Sequence, residues 1–326
     1  MFNILLFTIL LKFLPFITKQ QTLPSKVFIV FPLLIEFFLD IHVTDYEIID
    51  VVNSFYQYDY NAARKNEISI NYQGHTNLQS MDDRAPSPLF SYVDPNIEKR
   101  PTFLTFRRLM NNYNPKVGVQ ETITQKELIE IDAFLLAIMN TTIAKQFFIF
   151  LSSKNHPFAR DRNTLVENLK QLWFHPYSRS RGILDSSGFE HVFMGELKNN
   201  EVSGLHNWFR FYVLESRGES SNFDYKGYIV QRFGTMGSVK FSWRGYYKKG
   251  GSFFIATSPE FDFFTFTLCF LFRRGSGGCN IEINGCPATI TVHDFQYNNR
   301  IFVGSAYPNI GTMTEECKIY NSGNRR

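Results

Sequence analysis

Gly188-Phe-Glu-His-Val-Phe-Met-Gly-Glu196, a short polar bridge, then Gly204-Leu-His-Asn-Trp208: this stretch stands just past Ser178, from which the chain changes its grammar. Upstream, apolar residues recur at helical intervals; downstream, they alternate with polar ones over short runs. Residues 189–194 read as a strand, and His206 stands at the start of a helix with Trp208, Phe211 and Tyr212 at helical spacing. Helices first and sheets later is the order of an α+β fold.

Beyond Trp208 the strand candidates are residues 228–233, 239–243, 253–256, 280–283, 288–292 and 301–305. Val239, Phe241 and Trp243 alternate with Lys240 and Ser242, the period of a strand with one buried face. Between them Gly245-Tyr-Tyr-Lys-Lys-Gly-Gly-Ser252 reads as a basic turn. Thr257-Ser-Pro-Glu260 announces a helix, joining a capping box to a proline in the first turn. The tail after Tyr307 reads as loosely structured.

Upstream, Thr44-Asp-Tyr-Glu47 is a capping box followed by Ile48, Ile49, Val51, Val52 and Phe55 at helical spacing. Residues 62–73 read as a turn into a short strand holding Ile68 and Ile70. Residues 81–96, rich in Pro, Asp, Ser and Asn, read as loop. Pro101 opens a helix to residue 109, because proline is tolerated at the first helical position. Thr124-Gln-Lys-Glu127 starts another, with Leu128, Ile131, Phe134, Leu135 and Ile138 on one face. Helices over 143–151 and 165–173 follow.

The first residues, Met1-Phe-Asn-Ile-Leu-Leu-Phe-Thr-Ile-Leu-Leu, resemble a secretory signal, although no basic residue precedes the apolar run and Lys12 interrupts it. A second apolar run, 27–39, contains Pro32 and Glu36 and is too short to span a bilayer comfortably. The division expected is a signal peptide over 1–20, an apolar linker over 21–43, one domain over 44–311 and a tail over 312–326. Secretion, or passage through the secretory pathway, follows from that reading. An uncleaved N-terminus tethering the chain to a membrane is the alternative.

Composition narrows the function. A hydrophobic content of 44% with 20% charge is ordinary for a globular protein, and a net charge of +4 excludes a polybasic nucleic-acid coat. The 35 Phe are unusual; most belong in a core, and surplus rings offer stacking platforms. Cys269, Cys279, Cys286 and Cys317 form no Cys-x-x-Cys pair, which argues against a zinc cluster. Cys279 and Cys286 flank the turn dipeptide Asn284-Gly285, so they either bridge a hairpin or stay reduced and buried. Asn140-Thr141-Thr142 is an acceptor for N-glycosylation in a secreted chain.

His191 and His206 lie close in sequence, with the lysines of the basic turn further on. Cleavage of RNA by its own 2′-hydroxyl needs those groups: one imidazole to take the 2′ proton, a second to protonate the leaving 5′ oxygen, and a fixed ammonium against the phosphoryl charge. His42, His75, His156 and His175 have no partner at a diagnostic spacing, and His293 has no assigned role. Taken alone, His191 and His206 are unremarkable, and Lys248-Lys249 reads as a solvated hairpin tip.

Gly188-Phe-Glu-His-Val-Phe, Gly204-Leu-His-Asn-Trp, Trp243-x-Gly-Tyr-x-Lys, Thr257-Ser-Pro-Glu-Phe and Gly304-Ser-Ala-Tyr-Pro, in this order and with Ala85-Pro-Ser-Pro-Leu-Phe before them, resemble the EndoU endoribonucleases over roughly residues 45–308. The resemblance implies antiparallel sheets forming a catalytic cleft behind a helical N-terminal part. It also implies cleavage of single-stranded RNA at uridylates, leaving 2′,3′-cyclic phosphate and 5′-hydroxyl ends. The family's catalytic groups fall on His191, His206 and Lys248, with Lys249 as the fallback. His206 is assigned as base and His191 as acid, the reverse staying open. Gly204 is expected to let the backbone approach the phosphate, Ser252 to bond the uracil edge, Tyr307 to stack on base or sugar, and Ser305 to help position it. Ser305 stands where the family usually has Thr, and Ala256 where Gly is usual. Manganese or calcium is implied as an activating ion, with Glu190 and Glu196 as candidate ligands. Against that, Glu190 reads rather as orienting a histidine or pairing with an arginine, so the ion rests on the resemblance and not on a ligand motif. The expected partner is single-stranded uridine-containing RNA, bound by a monomer. A non-catalytic RNA- or polyanion-binding protein on the same scaffold is the competing function.

Overall fold

A computed structural model describes residues 41–218 and 221–322. The expected signal peptide and nearly all of the apolar linker lie outside the described residues. The linker's last residues already belong to the domain, since Val43 is buried and its carbonyl accepts from Arg273 at 2.7 Å.

Thr44 caps α1 (Asp45–Gln57) as its box requires. Its hydroxyl accepts from Glu47 N–H at 3.3 Å, and the Glu47 carboxylate accepts from Thr44 N–H at 2.9 Å. β1 (Ile68–Ile70) pairs antiparallel with β2 (Phe90–Val93), so the expected loop over 81–96 contains a strand. Its cause is remote: the Glu215 carboxylate accepts from Leu89 and Phe90 N–H at 2.6 and 2.9 Å. Then come α2 (Pro101–Leu109), α3 (Gln125–Met139), α4 (Thr142–Ser153) and α5 (Arg162–Phe174). Their buried faces meet in an aromatic core, where Phe106, Phe134 and Phe174 pack their rings on Phe189 and Trp173 packs on Phe193 and Phe263.

Residues 189–194 are not a strand. Glu190–Met194 make a single π-helical turn, closed by Gly195 N–H on the Glu190 carbonyl at 2.9 Å. Every residue of that turn is buried, so no alternation marks its period, and a short apolar run is read equally well as strand or helix.

Five strands form the sheet that follows. β3 (Glu196–Lys198), β4 (Glu201–Ser203), β5 (Phe223–Arg232), β6 (Met236–Trp243) and β7 (Tyr246–Phe254) are ordered β3-β4-β7-β6-β5. α6 (Trp208–Ser216) packs on it through Phe211, whose ring meets Phe223, Phe241 and Phe253. The basic segment 245–252 is strand rather than turn, because only Arg244 and Gly245 make the reversal and Lys248 is paired with Phe241.

α7 (Pro259–Arg273) starts one residue later than its box suggested. Pro259 at the first helical position makes Ser258 the cap, and the Thr257 hydroxyl bonds Asp262 at 2.7 Å instead. β8 (Cys279–Ile283), β9 (Cys286–Tyr297) and β10 (Arg300–Ile310) form an antiparallel sheet ordered β10-β9-β8. The tail is helical as far as its described residues reach: α8 (Glu315–Ser322) is tied by Cys286–Cys317, and Cys269–Cys279 joins α7 to β8. The hairpin rules out the Cys279–Cys286 bridge, since it sets Cys286 opposite Ile283 and Cys279 opposite Ile290. The architecture is α+β, and among the described residues no single helix is long and apolar enough to cross a membrane.

Candidate active site

Four pieces of chain meet: the π-helical turn, the 204–207 loop entering α6, β7 and β10. The first two are stitched together by backbone, with Leu205 N–H on the His191 carbonyl at 3.0 Å and His206 N–H on that of Val192 at 2.7 Å. Gly204 makes this possible. It sits at φ +67°, and a Cβ there would stand 1.7 Å from the His191 carbonyl oxygen. Its first duty is thus to bring the two histidine segments together.

His191 and His206 are both buried, with 6% and 5% of their surface exposed. The Nδ1 of His206 lies 2.9 Å from the Ser252 carbonyl. A carbonyl only accepts, so Nδ1 carries the hydrogen and Nε2 keeps its lone pair. Burial, then the charges of Lys248 and His191, hold this imidazole well below the ordinary value, leaving it neutral.

The Nδ1 of His191 lies 2.7 Å from a Glu196 carboxylate oxygen. Burial pulls this histidine below its ordinary value too, but Glu196 works the other way and favours a second proton. Glu196 is itself buried, and its pairing with His191, Arg179 and Ser186 keeps the carboxyl below the usual range. Arg179 stands over the rings of Tyr177 and Phe295, at 5.2 and 5.3 Å, with its Nε 3.6 Å from Glu196. Two imidazoles thus rest on unlike partners, one on a neutral carbonyl and the other on a carboxylate.

Lys248 donates from Nζ to the Gly204 carbonyl at 2.9 Å, and burial lowers it to about 8. Its other N–H groups remain for an anion. A β-bulge at Lys249-Gly250 places Lys248 opposite Phe241 and Ser252 opposite Ser238, positions of unlike parity on β6. The Ser252 hydroxyl therefore leaves the sheet on the other face from Lys248; what Ser252 brings to the site is its carbonyl. Lys249 is exposed, 3.4 Å from Glu201. Tyr307 stacks on His206 with centroids 4.9 Å apart, and Ser305, two residues earlier on the same face of β10, is paired with His293.

The two candidate metal ligands part company. Glu196 spends its oxygens on His191, Ser186 and Arg179, so it does not fit a ligand. Glu190 is fully buried and finds no hydrogen-bond donor for either oxygen among the described residues. It faces Glu121; burial, then the neighbouring carboxylate, raises Glu190 well above the carboxyl range, and burial raises Glu121 to about 7. Glu190 and Glu121 together fit a cation's charge, although no group of three ligating side chains converges among the described residues. Sequence reasoning missed Glu121, Arg179 and Ser186, and named Glu190 for the orienting role that Glu196 fills. Glu196 lies five residues past His191, outside helical or strand register, and only the π turn brings it round.

The family model of endoribonuclease XendoU matches residues 47–308. A uridylate-specific endoribonuclease of Bos taurus is 38% identical over 81% of this chain and 65% of its own length; that of Homo sapiens is 37% identical over 81% and 66%. The chain thus spans just under two thirds of these mammalian relatives. Uridylate-specific endoribonuclease D of Xenopus laevis is 36% identical over 81% of this chain and 88% of its own. A solved structure of XendoU, described as a splicing independent snoRNA processing endoribonuclease, superposes with a TM-score of 0.69 at 32% identity, covering 83% of this chain and 99% of that one.

Proposed function

The chain belongs to the XendoU endoribonuclease family, and on that premise we propose that it cuts single-stranded RNA at uridylates by attack of the ribose 2′-hydroxyl. The observation that carries the mechanism is the pair of unlike Nδ1 partners. His206, with Nδ1–H on the Ser252 carbonyl, has a bare Nε2 ready to remove the 2′ proton. His191, backed by Glu196, is the imidazole that holds a second proton more readily and gives it to the departing 5′ oxygen. The bond from O2′ to phosphorus forms as that from phosphorus to O5′ breaks. Charge gathered on the non-bridging oxygens meets the Lys248 ammonium, which Gly204 holds in place. A 2′,3′-cyclic phosphate and a 5′-hydroxyl result.

Uridine preference falls to Ser305 and Tyr307 on β10 and to the backbone around Ser252, since stacking alone holds any base. A divalent ion, manganese or calcium, would be held by Glu190 and Glu121, whose burial otherwise favours the protonated carboxyls, supplying positive charge next to the turn that carries His191. The chain acts as a monomer on its RNA. Its two disulfides support a secretory-pathway location, because such bridges persist in oxidising compartments. The test is incubation with a fluorogenic uridine-containing oligonucleotide, with and without manganese or calcium. Signal is expected from the wild type and not from His206→Ala. Equal signal from both, or none from either under any condition, contradicts the reading.

A further inference from the structure

The proposed reaction uses Lys248 and leaves Lys116, Lys198 and Lys249 without a role. β4 and β7 pair only at Glu201 and Tyr247 and then diverge. Beside that pair lies a crevice of about 350 Å³, lined by Lys198, Glu201, Lys249 and Tyr247, with Lys248 and Ser203 also among its walls. A second cavity, of about 260 Å³, adjoins it through Lys198 and Asn199 and is lined by Lys116 and Tyr246. The two cavities meet at Lys198 and Asn199, at the β3–β4 turn, and together make a groove with Lys248 among its walls.

Its walls are fixed while its charges are exposed. Lys116 extends β3 by a bridge to Leu197, with Val117 N–H on the Leu197 carbonyl at 3.2 Å. Lys198 donates to the Arg179 carbonyl at 3.2 Å, and the Tyr247 hydroxyl donates to that of Met81 at 3.0 Å. Lys249 is balanced by Glu201, but neither Lys116 nor Lys198 has an ion pair among the described residues. A chain of net charge +4 must concentrate its attraction for phosphate locally, and a basic groove beside tyrosine rings is the form that takes for single strands.

We propose that this groove holds the RNA backbone flanking the cut, with Lys198 and Lys116 as successive phosphate contacts beyond Lys248. The proposal rests on the endoribonuclease reading for the identity of its ligand. Binding and cutting are separable, and the test separates them. The probe for binding is a labelled dodecanucleotide whose uridines are all 2′-deoxy, so that it cannot be cut; its affinity for the wild type is compared with that for K116Q/K198Q.

The double variant is expected to bind roughly tenfold more weakly near 0.1 M salt. Its plot of log affinity against log salt is expected to be shallower by about 1.4, two contacts at about 0.7 each for a single strand. K116R/K198R is expected to restore both, which a merely misfolded variant would not explain. A tetranucleotide, too short to reach the groove, is expected to lose less than the dodecanucleotide. Unchanged affinity and salt slope in the glutamine variant, or equal losses for the two lengths, overturn the groove whatever the cleavage assay shows. Failure of the all-ribose strand to be cut by a wild type that binds it overturns the enzymatic reading and leaves the groove standing.

Discussion

His206 loses solvent and gains two positive neighbours, while His191 loses solvent and gains a carboxylate. The signs of two limbs in the pH profile follow. With His206 as the proposed base, kcat/KM is expected to fall at low pH as it takes a proton, well below the ordinary histidine value. Lys248 is part of what depresses that value. Lys248→Met should therefore move the acid limb to higher pH while costing about 10²- to 10³-fold in kcat. With His191 as the proposed acid, kcat/KM is expected to fall at higher pH as it loses its second proton, which Glu196 helps it keep. Glu196→Gln should move that fall to lower pH and leave the acid limb where it was; a shift of both limbs, or of neither, contradicts the division of roles. At this scale the short motifs named residues that the structure brings together, His191, His206, Lys248 and Tyr307. Their orientation was not legible in the sequence, since one histidine is held by a backbone carbonyl and the other by a carboxylate out of register.

Capping boxes at Thr44 and Thr124, and the proline at 101, announced three helices at their observed first turns, because caps are local chemistry. Two elements were misread for opposite reasons. Residues 190–194 are buried on every side and show no period, while β7 hides its period behind the bulge at Lys249-Gly250. That bulge is also why Lys248 and Ser252 do not share a face. Ala256 is a local cost of a different kind, because it sits at φ +68°, a conformation that glycine adopts freely. Ala256→Gly should raise the stability to urea unfolding by up to about 1 kcal/mol with activity retained. A loss of stability would mean that the alanine methyl contributes packing greater than its strain.

Among the described residues, the helices and the β-sheets meet in one phenylalanine-rich core, and the candidate active site lies where both contribute. The excess of phenylalanine forecast that core; the pairing of cysteines could not be forecast, because it depends on which strands lie side by side. The Cys286–Cys317 bridge closes a separation of 31 residues and ties α8 to β9. Replacing both cysteines by serine should lower stability by roughly 3 to 4 kcal/mol in urea unfolding, and reductant should then add little beyond the effect of opening Cys269–Cys279. A double variant as stable as the wild type would show that α8 stays docked without its bridge.

Mass analysis of the fragments from an oligonucleotide with a single uridine reports the position of the cut and the chemistry of both ends at once. Two imidazoles of unlike state flanking one phosphate predict a 5′ fragment ending in uridine 2′,3′-cyclic phosphate and a 3′ fragment beginning with a 5′-hydroxyl, with no cleavage when that uridine is 2′-deoxy. Fragments carrying a 3′-hydroxyl and a 5′-phosphate, or cleavage that persists in the 2′-deoxy strand, would contradict the account.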